Sequence, residues 1–495
     1  MKLEQAIASE KAKEPVGFKR LRSWVLKKVS PSPRDAVLEK AFARELSAKL
    51  EKAVGKEAKV HFVGSTARDT GLTGDKDIDL FISFPRDKTR DYIVKKTIAA
   101  TKKTIKAKWV MHYAEHPYLQ AVVRGFRVEV IPCFQTAPHE PLKSAVDRSP
   151  LHMNYLQKRL TEEQKKDVRL LKQFLKNAGI YGAELRIKGF SGLLCEYLVL
   201  NYRSFWNLIT NASKWRPQIA IDMEGYYEKG EAAKKFANQP LVFIDAIDRN
   251  RNVAAAVSET NVYKFIALSQ TLLAKPDEEA LFFTKPPEMK EIRSKLEHLR
   301  KIGVVERLQE KLGEKLGGHP ASAWRAARII LLKFAKPDVV EDILYPQLEK
   351  TTASIRRHLE LNDFKVLAAT SFTDDSNAYI LLTLPTLERS AIVRVSGPPA
   401  NNALAVKKFL KNHGNAIRGP FIEGSKVFVE ETRENNNAKD FLKRGIGKPE
   451  SFGIASYLKN PMKKAVLLLD DEIFNLCDEA ARELHDFFFK KEFDF

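Results

Sequence analysis

Near residue 80 the polarity of the chain alternates. Ile78, Leu80, Ile82 and Phe84 fall on one side of an extended backbone, and Asp77 and Asp79 on the other. That period of two predicts a strand. A second strand is predicted at 60–63, an apolar run that stops at Gly64. A third lies around 125–132, where Val128 and Val130 oppose Glu129 and Pro132 closes the run. Helical spacing takes over elsewhere. Ser32 reads as an N-cap with Pro33 at the first helical position, opening a helix to about residue 53. Residues 65–69 have the composition of a brief helix, and a basic helix is predicted near 91–106. Further on, Val168, Leu171 and Leu175, joined by Leu170 and Phe174, make one apolar stripe that Gly179 ends. Lys172 sits beside this stripe and reads as an edge residue whose stem snorkels. Another helix begins near Ser191 with Leu194, Tyr197 and Leu198 as its core positions.

After the break at Lys285-Pro286-Pro287 the pattern changes again. A helix is predicted at 338–361, strands at 364–372 and 378–384 about a turn at 374–377, a short strand at 391–395, a helix at 401–412 and a strand at 426–429. Strands and helices of these lengths suggest a small α+β module of ferredoxin-like type. The chain therefore reads as an α+β multidomain protein: a mixed α/β head at 1–150, a helical region at 151–280, and a C-terminal α+β body and tail at 281–495. Residues 138–150 form a polar connector bounded by prolines.

Charge narrows the partners. The 495 residues hold 84 Lys and Arg against 63 Asp and Glu, a net charge of +21, which favours a polyanion. The basic residues are spread along the chain, so charge alone does not choose among polyanions. Only Cys133, Cys195 and Cys477 occur, far apart, which excludes a disulfide framework or a Cys-rich zinc module and suits a reducing, cytoplasmic setting. No apolar stretch approaches a membrane span. The opening residues lack the apolar core of a secretory signal, and Glu4, Glu10 and Glu14 argue against a matrix-targeting peptide. The charged stretch to about Arg22 reads as a flexible extension.

The candidate chemistry lies in the head. Gly64-Ser65 offers a small, mobile backbone and a hydroxyl to a phosphate, with Arg68 one turn on. Asp77 and Asp79 repel one another on one strand face, and a bound cation relieves that repulsion. Mg²⁺ suits them, since it takes one or two carboxylates together with phosphate oxygens. Glu129 on a neighbouring strand is the candidate third carboxylate, with an ion pair to Arg127 on its own face as the alternative. Together these read as a nucleotidyl transfer site.

Longer motifs carry a specific resemblance. Residues 64–70 (GSTARDT), Asp77-Ile78-Asp79, 128–133 (VEVIPC), 143–152 (KSAVDRSPLH), 168–172 (VRLLK), 179–184 (GIYGAE), 188–192 (KGFSG) and 249–255 (RNRNVAA) resemble, in collinear order, motifs of the archaeal CCA-adding enzymes. These are tRNA nucleotidyltransferases of the DNA polymerase beta superfamily. Three positions depart from that pattern: Asp77 where Glu is common, Glu129 where Asp is common, and Thr66 where an aromatic residue is expected. The resemblance implies a polymerase-beta-like nucleotidyltransferase head, a helical neck and an RNA-binding C-terminal body and tail. It implies template-independent addition of C, C and A to tRNA from CTP and ATP, with Mg²⁺ as cofactor. It gives Asp77, Asp79 and Glu129 to the metals, Ser65, Arg68, His152, Lys172 and Tyr181 to the triphosphate, and Arg251 to the base. The partners implied are tRNA, CTP and ATP, with no membrane; a homodimer is left open, because the C-terminal module has the character of an RNA grip, a scaffold or a dimer surface alike. Two rivals remain at this point, a poly(A)- or uridylyl-type polymerase on the same core and a non-catalytic tRNA-binding protein.

Overall fold

The computed structural model describes residues 13–113, 117–137, 140–216, 218–298, 328–433, 436–474 and 476–489. The chain divides into two compact units, one running to Lys285 and one beginning at Pro286.

The first unit opens with helix α1 (Val16–Val29), which buries Phe18, Leu21, Val25 and Val29 along one stripe. The flexible extension expected up to Arg22 is thus helical from Val16 onward; residues 1–12 lie outside the described residues. Apolar positions interleaved with several lysines and arginines make a weak local signal. Tertiary contacts decide the outcome. Phe18 packs against Phe205 and Trp206, and Arg22 pairs with Glu163 and Asp167. Helix α2 (Pro33–Val54) starts as the sequence predicts, with the Ser32 hydroxyl accepting from the Asp35 N–H. It packs on a five-stranded sheet made of β1 (Lys59–Val63), β2 (Asp77–Phe84), β3 (Val110–Tyr113), β4 (Pro117–Val123) and β5 (Phe126–Phe134). The spatial order is β1-β2-β5-β4-β3, and only β2 and β5 run parallel. A one-turn helix, α3 (Gly64–Ala67), follows β1, and α4 (Arg90–Thr104) follows β2. Ile78, Leu80, Ile82, Phe84, Val128 and Val130 form one core with Phe42, Leu46 and Leu50 of α2 and Ile93 of α4. The opposite face is not a wet face along its whole length. Phe81 is buried there with Val63 and Cys133 and is covered by Val146 and Met153, so only the end of that face that carries Asp77 and Asp79 is left uncovered.

The longer helices that follow are α5 (Arg148–Arg159), α6 (Glu162–Asn177), α7 (Gly192–Tyr202), α8 (Phe205–Ala212) and α9 (Glu259–Ala274). Ser191 caps α7, and Gly179, at φ +71°, follows the end of α6. Between α8 and α9, the short parallel strands β6 (Ile219–Ile221) and β7 (Leu241–Phe243) pair. Lys172 is not an edge residue. It is 1 % exposed, with its ammonium inside the core.

In the second unit a helical stretch at 289–298 precedes β8 (Arg328–Ala335), α10 (Glu341–Leu361), β9 (Ala368–Thr373) and β10 (Asn377–Leu384). An inserted subdomain follows: β11 (Ile392–Pro399), α11 (Ala403–Asn412), β12 (Arg418–Glu423) and β13 (Lys426–Thr432). Helix α12 (Ala438–Gly447), strand β14 (Val466–Leu469) and helix α13 (Asp478–Phe489) complete it. The main sheet has the order β14-β8-β10-β9, antiparallel throughout. Counting only its own strands this is 4-1-3-2, the ferredoxin-like order. The strands that complete it are not the ones the sequence suggested. Those expected at 391–395 and 426–429 belong to the separate β11-β13-β12 sheet, and the outer strand comes from 466–469.

Candidate active site

Strand register sets the carboxylates. Across the antiparallel pair Val63 lies opposite Asp79, and across the parallel pair Asp79 lies opposite Glu129 and Asp77 opposite Arg127. The chain leaves β1 at Gly64 with φ +85°, and a Cβ added there would stand 2.1 Å from Asp79 Oδ2. Glycine is therefore required twice, by the backbone conformation and by the carboxylate. Gly64→Ala is expected to destabilise the N-terminal unit by at least about 1 kcal/mol. By moving Asp79 it should also slow nucleotide incorporation about 100-fold, read in a single-turnover assay.

Arg127 does not pair with Glu129. Its Nη2 reaches Asp77 Oδ2 at 2.9 Å, while Glu129 Oε1 accepts from Gln120 Nε2 at 2.7 Å. The parallel register places Arg127 beside Asp77 rather than beside its neighbour along the strand. Asp79 is left between them. Burial, then the charge of Glu129, then that of Asp77 push its carboxyl up to about 7. Thr66, the position expected to be aromatic, is buried and donates its hydroxyl to the Asp77 carbonyl at 2.9 Å, tying α3 to the start of β2. Ser65 lies on α3 and is half-buried. Among the described residues no three acidic or metal-ligating side chains form a ready-made cage. The oxygen set still fits a hard cation: three carboxylates on two adjacent strands, with the central one destabilised by the other two.

A second cluster sits under the loop between α3 and β2. Arg68 is buried against Glu196 of α7, with Nε 3.0 Å and Nη2 2.9 Å from its oxygens, and Thr70 donates to the same carboxylate. Helix α6 presents Arg169, Lys172 and Lys176 to this loop at i, i+3 and i+7. They reach the Gly71 carbonyl at 3.0 Å, the Thr70 carbonyl at 2.9 Å and Asp75 at 3.4 Å. Burial would raise the Glu196 carboxyl, but Arg68 and then Lys172 hold it below its ordinary value. Burial lowers the Lys172 ammonium. Tyr181 joins the cluster at Gly192, where an added Cβ would lie 3.3 Å from the Tyr181 hydroxyl and 3.7 Å from Lys172 Nζ.

The third cluster gathers His152 of α5 and Arg251 around a buried acid that follows β7, Asp245. His152 Nε2 lies 2.8 Å from Asp245 Oδ1, and Arg251 Nη1 lies 2.7 Å from Oδ2. Arg251 also lines a cleft of about 490 Å³ with Arg148, Ser191, Asp248, Asn250 and Asn252. Arg148 Nη1 reaches Asp248 Oδ2 at 2.8 Å.

Comparison with known proteins decides the family. Three family models match in chain order: "Nucleotidyltransferase domain" over 43–152, "tRNA nucleotidyltransferase, second domain" over 166–283, and "CCA-adding enzyme, C-terminal domain" over 325–463. The CCA-adding enzyme of Methanothermobacter thermautotrophicus is 33 % identical over 439 residues, covering 88 % of this chain and 88 % of that one. That of Methanocaldococcus jannaschii is 32 % identical over 459 residues, 90 % and 94 % of the two chains, and that of Archaeoglobus fulgidus 36 % over 373 residues, 75 % and 77 %. The chain belongs to the archaeal CCA-adding enzyme family. It is a tRNA nucleotidyltransferase of that family, and the nucleotidyltransferase assignment falls on the unit that holds all three clusters.

Among solved structures, the Cid1 poly(U) polymerase with MgGTP bound matches at 14 % identity with a TM-score of 0.45, over 55 % of this chain and 99 % of that one.

Of the residues that this CCA-adding enzyme family resemblance singled out, Ser65 stands apart on α3, and the other eight fall into three groups: Asp77, Asp79 and Glu129; Arg68, Lys172 and Tyr181; His152 and Arg251. Helix α7 links the last two, because consecutive residues Glu196 and Tyr197 each face one of them. Two acids escaped the sequence reading, Glu196 and Asp245. Each is a single carboxylate inside an apolar run, Leu193-Leu194-Cys195-Glu196-Tyr197-Leu198 and Val242-Phe243-Ile244-Asp245-Ala246-Ile247. A lone charge in such a run has to be paired when buried, and that signal would have marked both. Among the described residues no helix is long and apolar enough to cross a membrane.

Proposed function

We propose that the protein adds C, C and A to the 3′ ends of tRNA, using CTP and ATP and no nucleic acid template. The carrying observation is the register that sets Asp79 directly beside Glu129 with the Gly64 backbone against it, in a chain of the CCA-adding enzyme family. In the reaction the tRNA 3′-hydroxyl gives up its proton to solvent as its oxygen bonds to the α-phosphorus, the bond to the bridging oxygen of the β-phosphate breaks, and pyrophosphate leaves. Asp77, Asp79 and Glu129 would hold one Mg²⁺ and Asp77 with Asp79 a second; bound there, Mg²⁺ supplies charge for the attacking hydroxyl and for the phosphates.

The remaining residues bind and orient. Arg68 and Lys172 are two buried basic groups facing the single carboxylate of Glu196, and their excess of N–H donors over that one carboxylate suits the cluster to a triphosphate. Ser65, Tyr181 and His152 are assigned to the same triphosphate. Arg251 is assigned to the base, since its guanidinium lines the cleft and is held on one side.

The reading is tested by incubating the protein with tRNA that lacks CCA and with each nucleotide singly and together, resolved at one nucleotide. Ordered incorporation of two C and one A supports it. Growth of a long A or U tail, or tRNA binding without incorporation, overturns it.

Arg251→Ala is expected to cost CTP and ATP roughly 1.5–3 kcal/mol of transition-state binding. This is about one to two powers of ten in kcat/KM. UTP and GTP, which match that donor fork poorly, should lose less. The check is kcat/KM for all four nucleotides, and equal losses would remove Arg251 from base reading.

A further inference from the structure

We propose that Asp245 is a positioning residue for nucleotide selection, a single anchor that fixes both Arg251 and His152. The proposal rests on the assignment of Arg251 to the base. The side chain of Asp245 is fully buried, and its carboxylate accepts from three side chains and one peptide. Oδ1 takes His152 Nε2 at 2.8 Å, the Ile247 N–H at 3.0 Å and the Tyr197 hydroxyl at 3.2 Å. Oδ2 takes Arg251 Nη1 at 2.7 Å and His152 Nε2 at 3.0 Å. A carboxylate offers about four lone-pair sites, and all are engaged here. Such a group has no slack, and what it holds does not rotate.

The two held side chains come from separate elements, His152 from α5 and Arg251 from the loop after β7. That loop is closed on itself as well. The Asp245 N–H donates to the Arg251 carbonyl at 3.0 Å, and the Arg251 N–H to the Asp248 carbonyl at 2.9 Å. Arg251 is therefore fixed at its peptide and at one guanidinium nitrogen. Among the described residues its hydrogen bonds engage Nη1 alone on the side chain, so Nε and Nη2 remain for a ligand in the cleft. The acid also fixes His152. A carboxylate only accepts, so Nε2 carries the proton and Nδ1 is the edge left for other contacts. One acid thus aims a base contact and a triphosphate contact together, and that geometry is a means of making nucleotide selection depend on both.

The test uses the full-length protein and tRNA lacking its terminal nucleotides, with kcat/KM measured for CTP, ATP, UTP and GTP. Asp245→Asn, Arg251→Ala and the double variant are compared, with folding checked by circular dichroism. Asp245→Asn is expected to lower CTP and ATP about tenfold and UTP and GTP less. In the Arg251→Ala background it should remove no further preference, since the two share one contact. Equal losses for all four nucleotides, or multiplicative effects on preference in the double variant, overturn the proposal. A normal preference in Arg251→Ala instead overturns the base assignment on which it stands. Lost preference in Arg251→Ala with normal preference in Asp245→Asn overturns the positioning role alone. If Asp245→Asn does not fold, Arg251→Lys decides. One ammonium cannot serve both the acid and the base, so preference should fall although charge is kept, and a full preference in Arg251→Lys overturns the proposal.

Discussion

Asp79→Ala is expected to abolish nucleotide incorporation while leaving tRNA affinity nearly unchanged. Asp79 is assigned to both proposed metal ions, whereas tRNA affinity depends mostly on phosphate contacts made elsewhere. Single-turnover incorporation and a filter-binding titration check the two halves, and near-normal turnover would defeat the metal assignment. The same substitution should change stability in the opposite sense. Folding raises the Asp79 carboxyl from 3.8 to about 7 through burial, Glu129 and Asp77. A carboxyl whose folded pKa is raised binds more protons folded than unfolded, so its ionisation weakens the fold as pH rises from about 4 to about 7. Without metal at pH 8, Asp79→Ala should melt above the wild type. The difference should vanish below about pH 4 and shrink when Mg²⁺ is added to the wild type.

Glu196→Ala is expected to destabilise the N-terminal unit by about 3–5 kcal/mol, the usual cost of leaving a buried charge without its partner. Glu196 has no exposed surface and pairs with the buried guanidinium of Arg68, with Lys172 close by, while also accepting from Thr70. Glu196→Gln keeps the shape and should lose less. The sign with pH follows from the lowered pKa of Glu196. Its contribution is present above the ordinary carboxylate range and is lost as pH falls through the folded value. Urea titrations should therefore separate wild type from Glu196→Gln at neutral pH and bring them together as the pH is lowered through the carboxylate range. A gap that is independent of pH would mean that packing, not charge, accounts for the loss.

Local pattern by itself determined a good deal. The alternation at 77–84 specified a strand with both aspartates on one face, because side chains on a strand repeat every two residues. Ser32-Pro33 and Ser191 marked helix starts, because small polar side chains satisfy free N–H groups there. The motifs named the candidate site residues in order along the chain. What these patterns could not carry was pairing between elements. Arg127 and Glu129 share a strand face, yet the register with β2 gives Arg127 to Asp77 and leaves Glu129 to Gln120. Lys172 looks like an edge residue on its own helix, and only the loop at 70–75 and the acid on α7 make a fully buried ammonium tolerable. The ferredoxin-like sheet closes with strands more than a hundred residues apart in sequence, 328–335 beside 466–469. Periodicity reports which face of an element is buried. It does not report what lies across from that face, and in this protein the charges of the site take their partners from across.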